Sequence, residues 1–268
     1  MGRARKTLAI VAFAAMVGCT VRSPASTPAI LLTTSRLHAT AATFAFTHAL
    51  NQRFAFEYAV AAFDVESLPY NRLLAGLDAG NVDYFISSHV PLRDDIWAAP
   101  LGVDGLAVVV NLANDVSTLS AHDLRDVFSG RIRDWGAFGA DSLAISPLAY
   151  QPGSDLAQEF RRLVMGIVPV TGNALLMPSI DAMLRQVTED AGAIGYLPLS
   201  MIDARVKPLA IDGALPSRQN VGDRSYPLWS TIYVIGWQAP PAATFNFLGW
   251  IQSEAGQAVV SESYTPLP

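Results

Sequence analysis

The sequence is poor in cysteine and in charge. Its 268 residues include a single cysteine, Cys19, which excludes a disulfide framework and any site built from several thiolates. Charged residues make up only 15% of the chain and the net charge is −5, so we expect no basic face for nucleic acid. Stability must then come from packing, and the 51% of hydrophobic residues supply enough apolar surface for a sizeable core.

Long apolar runs are also missing, apart from one near the start. Residues 8–18 are apolar or small, a stretch about half as long as the roughly 20 residues that a membrane-spanning helix needs. Arg3, Arg5 and Lys6 precede this stretch. This pattern predicts a secretory signal peptide, because it combines a basic start, a short apolar core and a small residue before the cleavage site. The protein is therefore expected to be extracytoplasmic.

The cysteine closes this run. Cys19 directly follows a Met-Val-Gly segment, which resembles the lipobox of bacterial lipoproteins, although the first position of that box is usually leucine. The resemblance implies a leader with its lipobox over residues 1–19, lipidation of Cys19 and attachment to the cell membrane. The alternative is an ordinary signal peptide with an incidental cysteine. Residues 20–28 are small, polar and proline-bearing, which predicts a flexible tether to the fold.

Motifs for metal binding and for covalent catalysis are missing as well. The four histidines have neither metal-ligand spacing nor cysteine companions, so we expect no metal site; they are His38, His48, His89 and His122. The sequence has no Gly-x-Ser-x-Gly elbow and no P-loop. We therefore expect no enzyme activity and no cofactor.

Strand and helix patterns alternate along the rest of the chain. The N-terminal half predicts strands at 30–33, 54–61, 82–87 and 105–110, with helices at 40–52 and 70–79. Ser120, Ser154 and Ser179 are each placed to cap a helix. Further strands are predicted at 142–150, 193–197, 206–211 and 225–235, and helices at 243–252 and 254–261. Alternation of this kind predicts an α/β fold with two layered units.

Several segments together resemble the phosphate-binding proteins of ABC transporters. Residues 100–111 (PLGVDGLAVVVN) and 124–135 (LRDVFSGRIRDW) are similar to the family's "DGIAVIVN" strand and the "IFSGKI.W" segment after it. Three more segments follow in order at the usual spacings: AIGYL at 193–197, SYPL at 225–228 and YTPL at 264–267. The resemblance covers essentially the whole chain after the leader.

This resemblance implies a two-lobed type II periplasmic-binding-protein fold with two crossing hinge strands. Lobe 1 would comprise residues 29–106 and 232–268, and lobe 2 residues 107–231. Phosphate or a related oxyanion would be captured between the lobes of a monomer and delivered to the permease subunits of an ABC importer. Two alternatives are a sensor or scaffold of the same fold that acts on a membrane partner, and a binder of a different small ligand.

The resemblance also points to three loops that would hold the ligand. Hydroxyl groups and helix N-termini bind an oxyanion without cationic side chains. In this chain the loops offer Thr34 and Ser35, beside Arg36; then Ser87 and Ser88; and finally Gly153 and Ser154.

The third loop departs from the family pattern "R..GSGT". Tyr150 stands at the arginine position, Asp155 at the second glycine and Leu156 at the threonine. Asp155 has two interpretations. At a helix start it is a good partner for the helix dipole. Facing the cleft, it would be a ligand-binding residue that repels a fully ionised anion but accepts the proton of monohydrogen phosphate.

Overall fold

The structure is a computed structural model that describes residues 36–59, 62–240 and 242–268. Cys19, Thr34 and Ser35 lie outside the described residues. The same holds for the predicted leader, the predicted tether and the predicted strand at 30–33.

The described residues form a mixed α/β fold. Its strands are Arg36–Ala39 (β1), Asp64–Ser67 (β2), Tyr84–Ser87 (β3), Trp97–Val110 (β4), Thr118–Leu119 (β5), Ser146–Tyr150 (β6), Leu175–Met177 (β7), Ala193–Pro198 (β8), Lys207–Pro208 (β9), Ala210–Ile211 (β10) and Trp229–Gly236 (β11). Its α-helices are Phe44–Tyr58 (α1), Tyr70–Asp78 (α2), Ala121–Phe128 (α3), Asp155–Phe160 (α4), Ile180–Glu189 (α5), Arg218–Gly222 (α6), Ala242–Gln252 (α7) and Glu254–Val260 (α8). Two 3₁₀ turns, Trp135–Phe138 and Leu199–Met201, and a π-helical turn, Arg161–Met165, complete these elements.

Two long strands connect the two halves of the main sheet. Its strand order is β2-β1-β3-β11-β4-β8-β6-β7, and β9 also pairs with β4. Strand β4 pairs with β11 through residues 97–105 and with β8 through residues 106–110. The outer pairs β1–β2, β1–β3, β6–β7 and β6–β8 are parallel, whereas the pairs that involve β4 or β11 are antiparallel.

Separate hydrophobic cores lie on the two sides of these strands. Lobe 1 is built on β1–β3 with α1, α2, α7 and α8, and its buried side chains include Phe46, Leu73 and Phe247. Lobe 2 is built on β5–β10 with α3–α6, and Phe160 and Tyr196 lie in its core. Strands β4 and β11 run through both lobes. The predicted α/β fold with two lobes and two crossing strands is confirmed.

The predicted serine caps are also confirmed. The Ser120 side chain accepts a hydrogen bond from the Asp123 backbone N–H, and together they form a capping box at the start of α3. The Ser154 and Ser179 hydroxyls accept from the third helical residue of α4 and of α5 in the same way. These caps are local interactions, which is why the sequence alone locates them.

The predicted strand at 54–61 is wrong. Helix α1 continues to Tyr58, and the next strand, β2, begins only at Asp64. Phe46, Leu50 and Phe54 are spaced four residues apart and are all buried, which is the pattern of one helix face. The predicted helix at 40–52 therefore starts later, at Phe44, and leaves residues 40–43 as a loop.

In the described ranges, no helix combines the length and apolarity that crossing a membrane requires.

Candidate functional site

Two loops of lobe 1 bring hydroxyl groups together at the edge of the sheet. Strands β1 and β3 are parallel neighbours, so the loops that follow them begin side by side. The Thr40 backbone N–H donates to the carbonyl of Ile86 at 3.0 Å, and Thr43 Oγ1 donates to the same carbonyl at 2.7 Å. Ser87 and Ser88 follow directly. Together, residues 40–43 and 87–88 form a hydroxyl-lined corner that faces lobe 2.

The third loop, from lobe 2, packs against this corner. The Ser154 hydroxyl accepts from the Ala157 N–H at 3.1 Å and so caps α4. The Asn71 N–H of lobe 1 donates to the Gly153 carbonyl at 3.0 Å. A Cβ at Gly153 would lie 2.8 Å from Asn71 Nδ2, so a larger residue here would require the Asn71 side chain to move.

Asp155 crosses from lobe 2 to the hydroxyl groups of lobe 1. Thr40 Oγ1 donates to Asp155 Oδ2 at 2.5 Å, and the hydroxyls of Ser88 and Ser87 donate to the same oxygen at 3.3 and 3.5 Å. The other oxygen, Oδ1, accepts from the Leu156 N–H at 3.0 Å. The Asp155 residue is 3% exposed. The carboxyl group therefore faces the cleft between the lobes.

Among the described residues, no cationic side chain bonds to this buried carboxyl group. Its hydrogen-bond partners in the described structure are hydroxyls and one backbone N–H. Burial raises the pKa of Asp155, while hydrogen bonds from Thr40, Leu156 and Ser88 act in the opposite direction.

Glu159 lies one turn later on α4 and makes a second connection between the lobes. Its carboxylate is 2.6 Å from His89 Nδ1 of lobe 1 and accepts from Arg162 Nη2 at 2.6 Å. It also accepts a hydrogen bond from the Ser230 hydroxyl on β11. Burial raises the pKa of Glu159, but the hydrogen bonds from these three partners outweigh that effect and hold it below its usual value.

The space left inside the cleft is small. A cavity of about 20 Å³ lies between the lobes, bordered by Thr43, Ser88, Asp104, Glu159 and Ser230 among others. That volume is about what one water molecule requires. A larger cavity of about 320 Å³ lies beside it, bordered by Ser88 and Glu159 and also by His89, Arg162 and Trp229.

Asp104 borders the small cavity from β4. It accepts hydrogen bonds from the Ser200 hydroxyl at 2.6 Å and from the Gly105 N–H at 2.8 Å. The bond from Ser200 connects strand β4 to the turn at Leu199–Met201. Burial raises the pKa of Asp104 to about 7, against the opposing effect of its hydrogen bonds from Ser200 and Gly105.

Replacing Asp104 by asparagine should flatten the pH dependence of stability. In the folded protein the carboxyl group keeps its proton up to about pH 7, whereas its ordinary pKa is 3.8. Binding of this proton stabilises the folded state, and the stabilisation is complete below about pH 4 and is lost as the pH rises through about 7. The free energy of unfolding therefore falls across this window. Urea denaturation at several pH values measures the slope. The exposed Asp115, replaced by asparagine, is the control, and equal slopes in both variants would contradict the prediction.

The structure assigns different positions to the predicted ligand residues. It brings Ser87, Ser88 and Asp155 together within one cluster. Ser154 caps α4, and Gly153 packs against Asn71. Asp155 is the first residue of α4 and also faces the cleft, so the two positions considered for it are compatible, while its role toward a ligand stays a prediction.

Arg36 and Tyr150 lie outside this cluster. Arg36 is on β1, near the carboxylates of Asp64 and Glu66, and is exposed. Tyr150 is buried with its ring edge-on to Tyr196, and its hydroxyl has no hydrogen-bond partner in the part of the chain that is described.

Sequence reasoning missed several residues of the site. Thr40 and Thr43 were assigned to a helix, although a Thr-Ala-Ala-Thr segment after a strand has the small-residue and hydroxyl character expected of the first ligand loop. Glu159 carries a weaker signal, because it lies four residues after Asp155 and therefore on the same helix face. His89 and Ser230 carry no local signal, since their contacts with Glu159 join residues 70 and 71 positions apart.

Known proteins of similar sequence include phosphate-binding proteins. PstS of Bacillus subtilis is 28% identical over 171 residues, which cover 62% of this chain and 56% of that protein. PstS 2 of Streptococcus pneumoniae is 33% identical over 90 residues, or 34% of this chain and 31% of that protein. The matched region of this chain thus spans a little over half the length of the Bacillus subtilis relative.

Solved structures share the fold over most of the chain. A Clostridium perfringens substrate-binding protein with bound phosphate has a TM-score of 0.80 at 18% identity and covers 87% of this chain and 99% of its own. An ABC-type phosphate transport receptor from Vibrio cholerae has a TM-score of 0.73 at 21% identity and covers 87% and 100%. At these identities the likeness establishes the fold. A family model for the PBP superfamily domain matches residues 30–255, and the chain therefore belongs to the PBP superfamily, with the two-lobed fold of the phosphate-binding proteins it resembles.

Proposed function

We propose that this chain is the extracytoplasmic solute-binding lipoprotein of an ABC importer and that it captures phosphate or a related oxyanion between its lobes. In this proposal Cys19 carries the lipid anchor, and a monomer delivers the solute to the permease. The lobe boundaries at 106/107 and 231/232 belong to the same proposal, as do possible donors at Thr34 and Ser35. The role is binding and delivery, without catalysis.

One observation carries the choice of ligand. Hydroxyl groups from two loops of lobe 1, on Thr40, Ser87 and Ser88, meet at a single oxygen of the Asp155 carboxyl group. A carboxylate is itself an oxyanion, so this corner has the donor geometry that an oxyanion requires. Phosphate would bind first to lobe 1 and then be covered by lobe 2.

The two long strands supply the hinge for this closure. Strands β4 and β11 run through both lobes, so a change of backbone angles near their midpoints would separate the two cores without disturbing either one. A solute that makes contacts with both lobes binds more tightly to the closed form and shifts the population toward it.

The acidic groups of the cleft favour a protonated anion. Asp104 and Glu159 both border the small cavity, and Asp155 lies beside Ser88 at its edge. Any of these groups that is ionised repels a fully ionised anion, but its carboxylate can accept the proton that monohydrogen phosphate carries. Sulfate has no such proton at neutral pH. We therefore propose that the site prefers phosphate to sulfate.

A sensor or scaffold of the same fold is the second candidate function. The observation in its favour is that protein groups of the two lobes bond directly to one another, Asp155 with Thr40 and Glu159 with His89. A protein that closes in this way could present its closed face to a membrane partner without transporting a solute.

Calorimetric titration of the full chain in detergent tests the ligand assignment. We expect phosphate to bind more tightly than sulfate, molybdate or tungstate. Ser88→Ala should weaken phosphate binding about tenfold, because it removes one hydrogen bond to a charged group. The control is Ser261→Ala, which removes an exposed hydroxyl at the C-terminal end of helix α8. Tighter binding of sulfate than of phosphate, or an unchanged affinity in the Ser88 variant, would contradict the proposal.

A further inference from the structure

We propose that the Asp155 carboxyl group is a built-in ligand, which occupies the place of the oxyanion and holds the lobes closed when no solute is bound. This inference rests on the proposed oxyanion site and concerns its regulation. It makes Asp155 the residue that sets both the affinity and the specificity of the cleft.

The first argument is the set of contacts that Asp155 makes. Its Oδ2 lies within 2.5 to 3.5 Å of the hydroxyls of Thr40, Ser88 and Ser87, all from lobe 1. Its backbone belongs to the first turn of α4 in lobe 2. The same donors that would bind a solute oxyanion are thus already bound by a side chain from the opposite lobe.

The second argument is the lack of room for another anion. The small cavity beside this cluster measures about 20 Å³, enough for about one water molecule and too little for a tetrahedral oxyanion. The larger cavity of about 320 Å³ borders Ser88 but neither Thr40 nor Ser87. For phosphate to reach the hydroxyl of Thr40, the Asp155 side chain must leave it. The solute and the side chain therefore compete for the same donors.

The third argument comes from counting hydroxyl protons. Thr43 Oγ1 donates to the carbonyl of Ile86, and Thr40 Oγ1 lies 3.0 Å from Thr43 Oγ1 and 2.5 Å from Asp155 Oδ2. Each threonine hydroxyl has one proton to give. If Asp155 is ionised, Thr40 donates to it and no proton remains for the Thr40–Thr43 contact. If Asp155 is protonated in the closed cleft, it donates to Thr40, Thr40 to Thr43 and Thr43 to Ile86, and every contact is a hydrogen bond; Thr40 then donates to an oxyanion only when a solute replaces the carboxyl group.

The surroundings of Asp155 agree with a neutral carboxyl group in the closed cleft. Tyr70 from α2 and Tyr150 from β6 lie near it, and Glu159 follows one turn later on α4. No lysine or arginine bonds to Asp155 within the described ranges. A neutral acid can lie in such a site at low cost, whereas an unpaired carboxylate could not.

The consequence is a reduced affinity for any solute. When only the open fraction of the protein is competent to bind, the apparent dissociation constant is the intrinsic one divided by that fraction. A side chain tethered beside its donors competes at a high effective concentration. Removing the Asp155 side chain should therefore tighten phosphate binding at least about tenfold.

Titration of inorganic phosphate into four full-length proteins tests this inference. Asp155→Gly removes the side chain, and Asp155→Asn keeps its size, an acceptor for the Leu156 N–H and a donor for the Thr40 hydroxyl, without a group that can ionise. Asp181→Gly is the matched control, because Asp181 is also an acidic residue in the first turn of a serine-capped helix but is exposed. We expect only Asp155→Gly to bind at least about tenfold more tightly than the wild type.

Each other outcome has a distinct meaning. An equal gain in Asp155→Asn would show that charge repulsion alone weakens binding and would overturn the built-in ligand. Equal, measurable affinity in the wild type and in Asp155→Gly would overturn it too, but would leave the proposed function intact. If no protein binds phosphate, the proposed ligand is wrong, and small-angle scattering without solute then decides the inference. A more extended Asp155→Gly supports it, and equal radii of gyration overturn it.

Discussion

Replacing Glu159 by alanine is expected to lower the free energy of unfolding by about 3 kcal/mol. Removing one partner from a buried ionic network leaves the other groups buried without compensation, and losses of this size are typical. The Glu159 residue is 3% exposed, and its carboxylate is bonded to Arg162 and Ser230, with His89 Nδ1 2.6 Å away. Alanine would leave three polar groups without this partner. Because Arg162 is half-exposed and can turn toward water, the expected loss lies at the lower end of the range for buried pairs.

Urea denaturation followed by circular dichroism measures this loss, provided that the slope with denaturant is unchanged. The matched control is Glu262→Ala, which removes an exposed glutamate paired with the exposed Arg53 at 3.9 Å. An exposed pair contributes little, so the control should lie within about 1 kcal/mol of the wild type. A loss in the Glu159 variant no larger than that of the control would show that this network does not stabilise the fold.

Replacing Phe160 by alanine should cost about 3–5 kcal/mol, the usual effect of truncating a buried aromatic side chain. Phe160 is 1% exposed, stacks on the Tyr196 ring at a centroid distance of 4.0 Å, and meets Phe128 at 4.6 Å. It is the last residue of α4, so the cavity left behind would also loosen the helix that carries Asp155 and Glu159.

Thermal and urea unfolding of this variant, compared with Phe56→Ala, tests the prediction. Phe56 is 87% exposed on α1, and its truncation should change the free energy of unfolding by no more than about 0.5 kcal/mol. Similar losses in the two variants would mean that the stacked aromatic group of lobe 2 is not part of a tightly packed core.

The features that the sequence predicted are those with local causes. Ser120, Ser154 and Ser179 cap helices through bonds to residues three positions later, so each cap can be read within a single turn. The apolar run at 105–110 predicted a buried strand, and it forms the C-terminal part of the longer β4. The α/β fold follows from the order of such local elements.

The site was predicted only in part, because its geometry depends on contacts between distant residues. The bond between Thr40 and Asp155 joins positions 115 apart, and no local pattern indicates it.

The wrong strand prediction at 54–61 had a different cause. Phe54 alternates weakly with its neighbours, but its packing with Phe247 and Trp250 of α7 keeps it on a helix. The loop at 40–43 was missed because strand β1, at Arg36–Ala39, was not predicted, so the first group of donors was expected before it, at Thr34 and Ser35.

The distance between the lobes in protein without solute tests the central claim most directly. Spin labels on cysteines that replace the exposed Phe56 of lobe 1 and Ile167 of lobe 2, in a Cys19→Ser background, report this distance by pulsed electron resonance. With Asp155 present, we expect one short distance that phosphate does not shorten further. With Asp155→Gly, we expect a longer distance that shortens when phosphate is added. A long distance in the solute-free protein that retains Asp155 would contradict the built-in ligand.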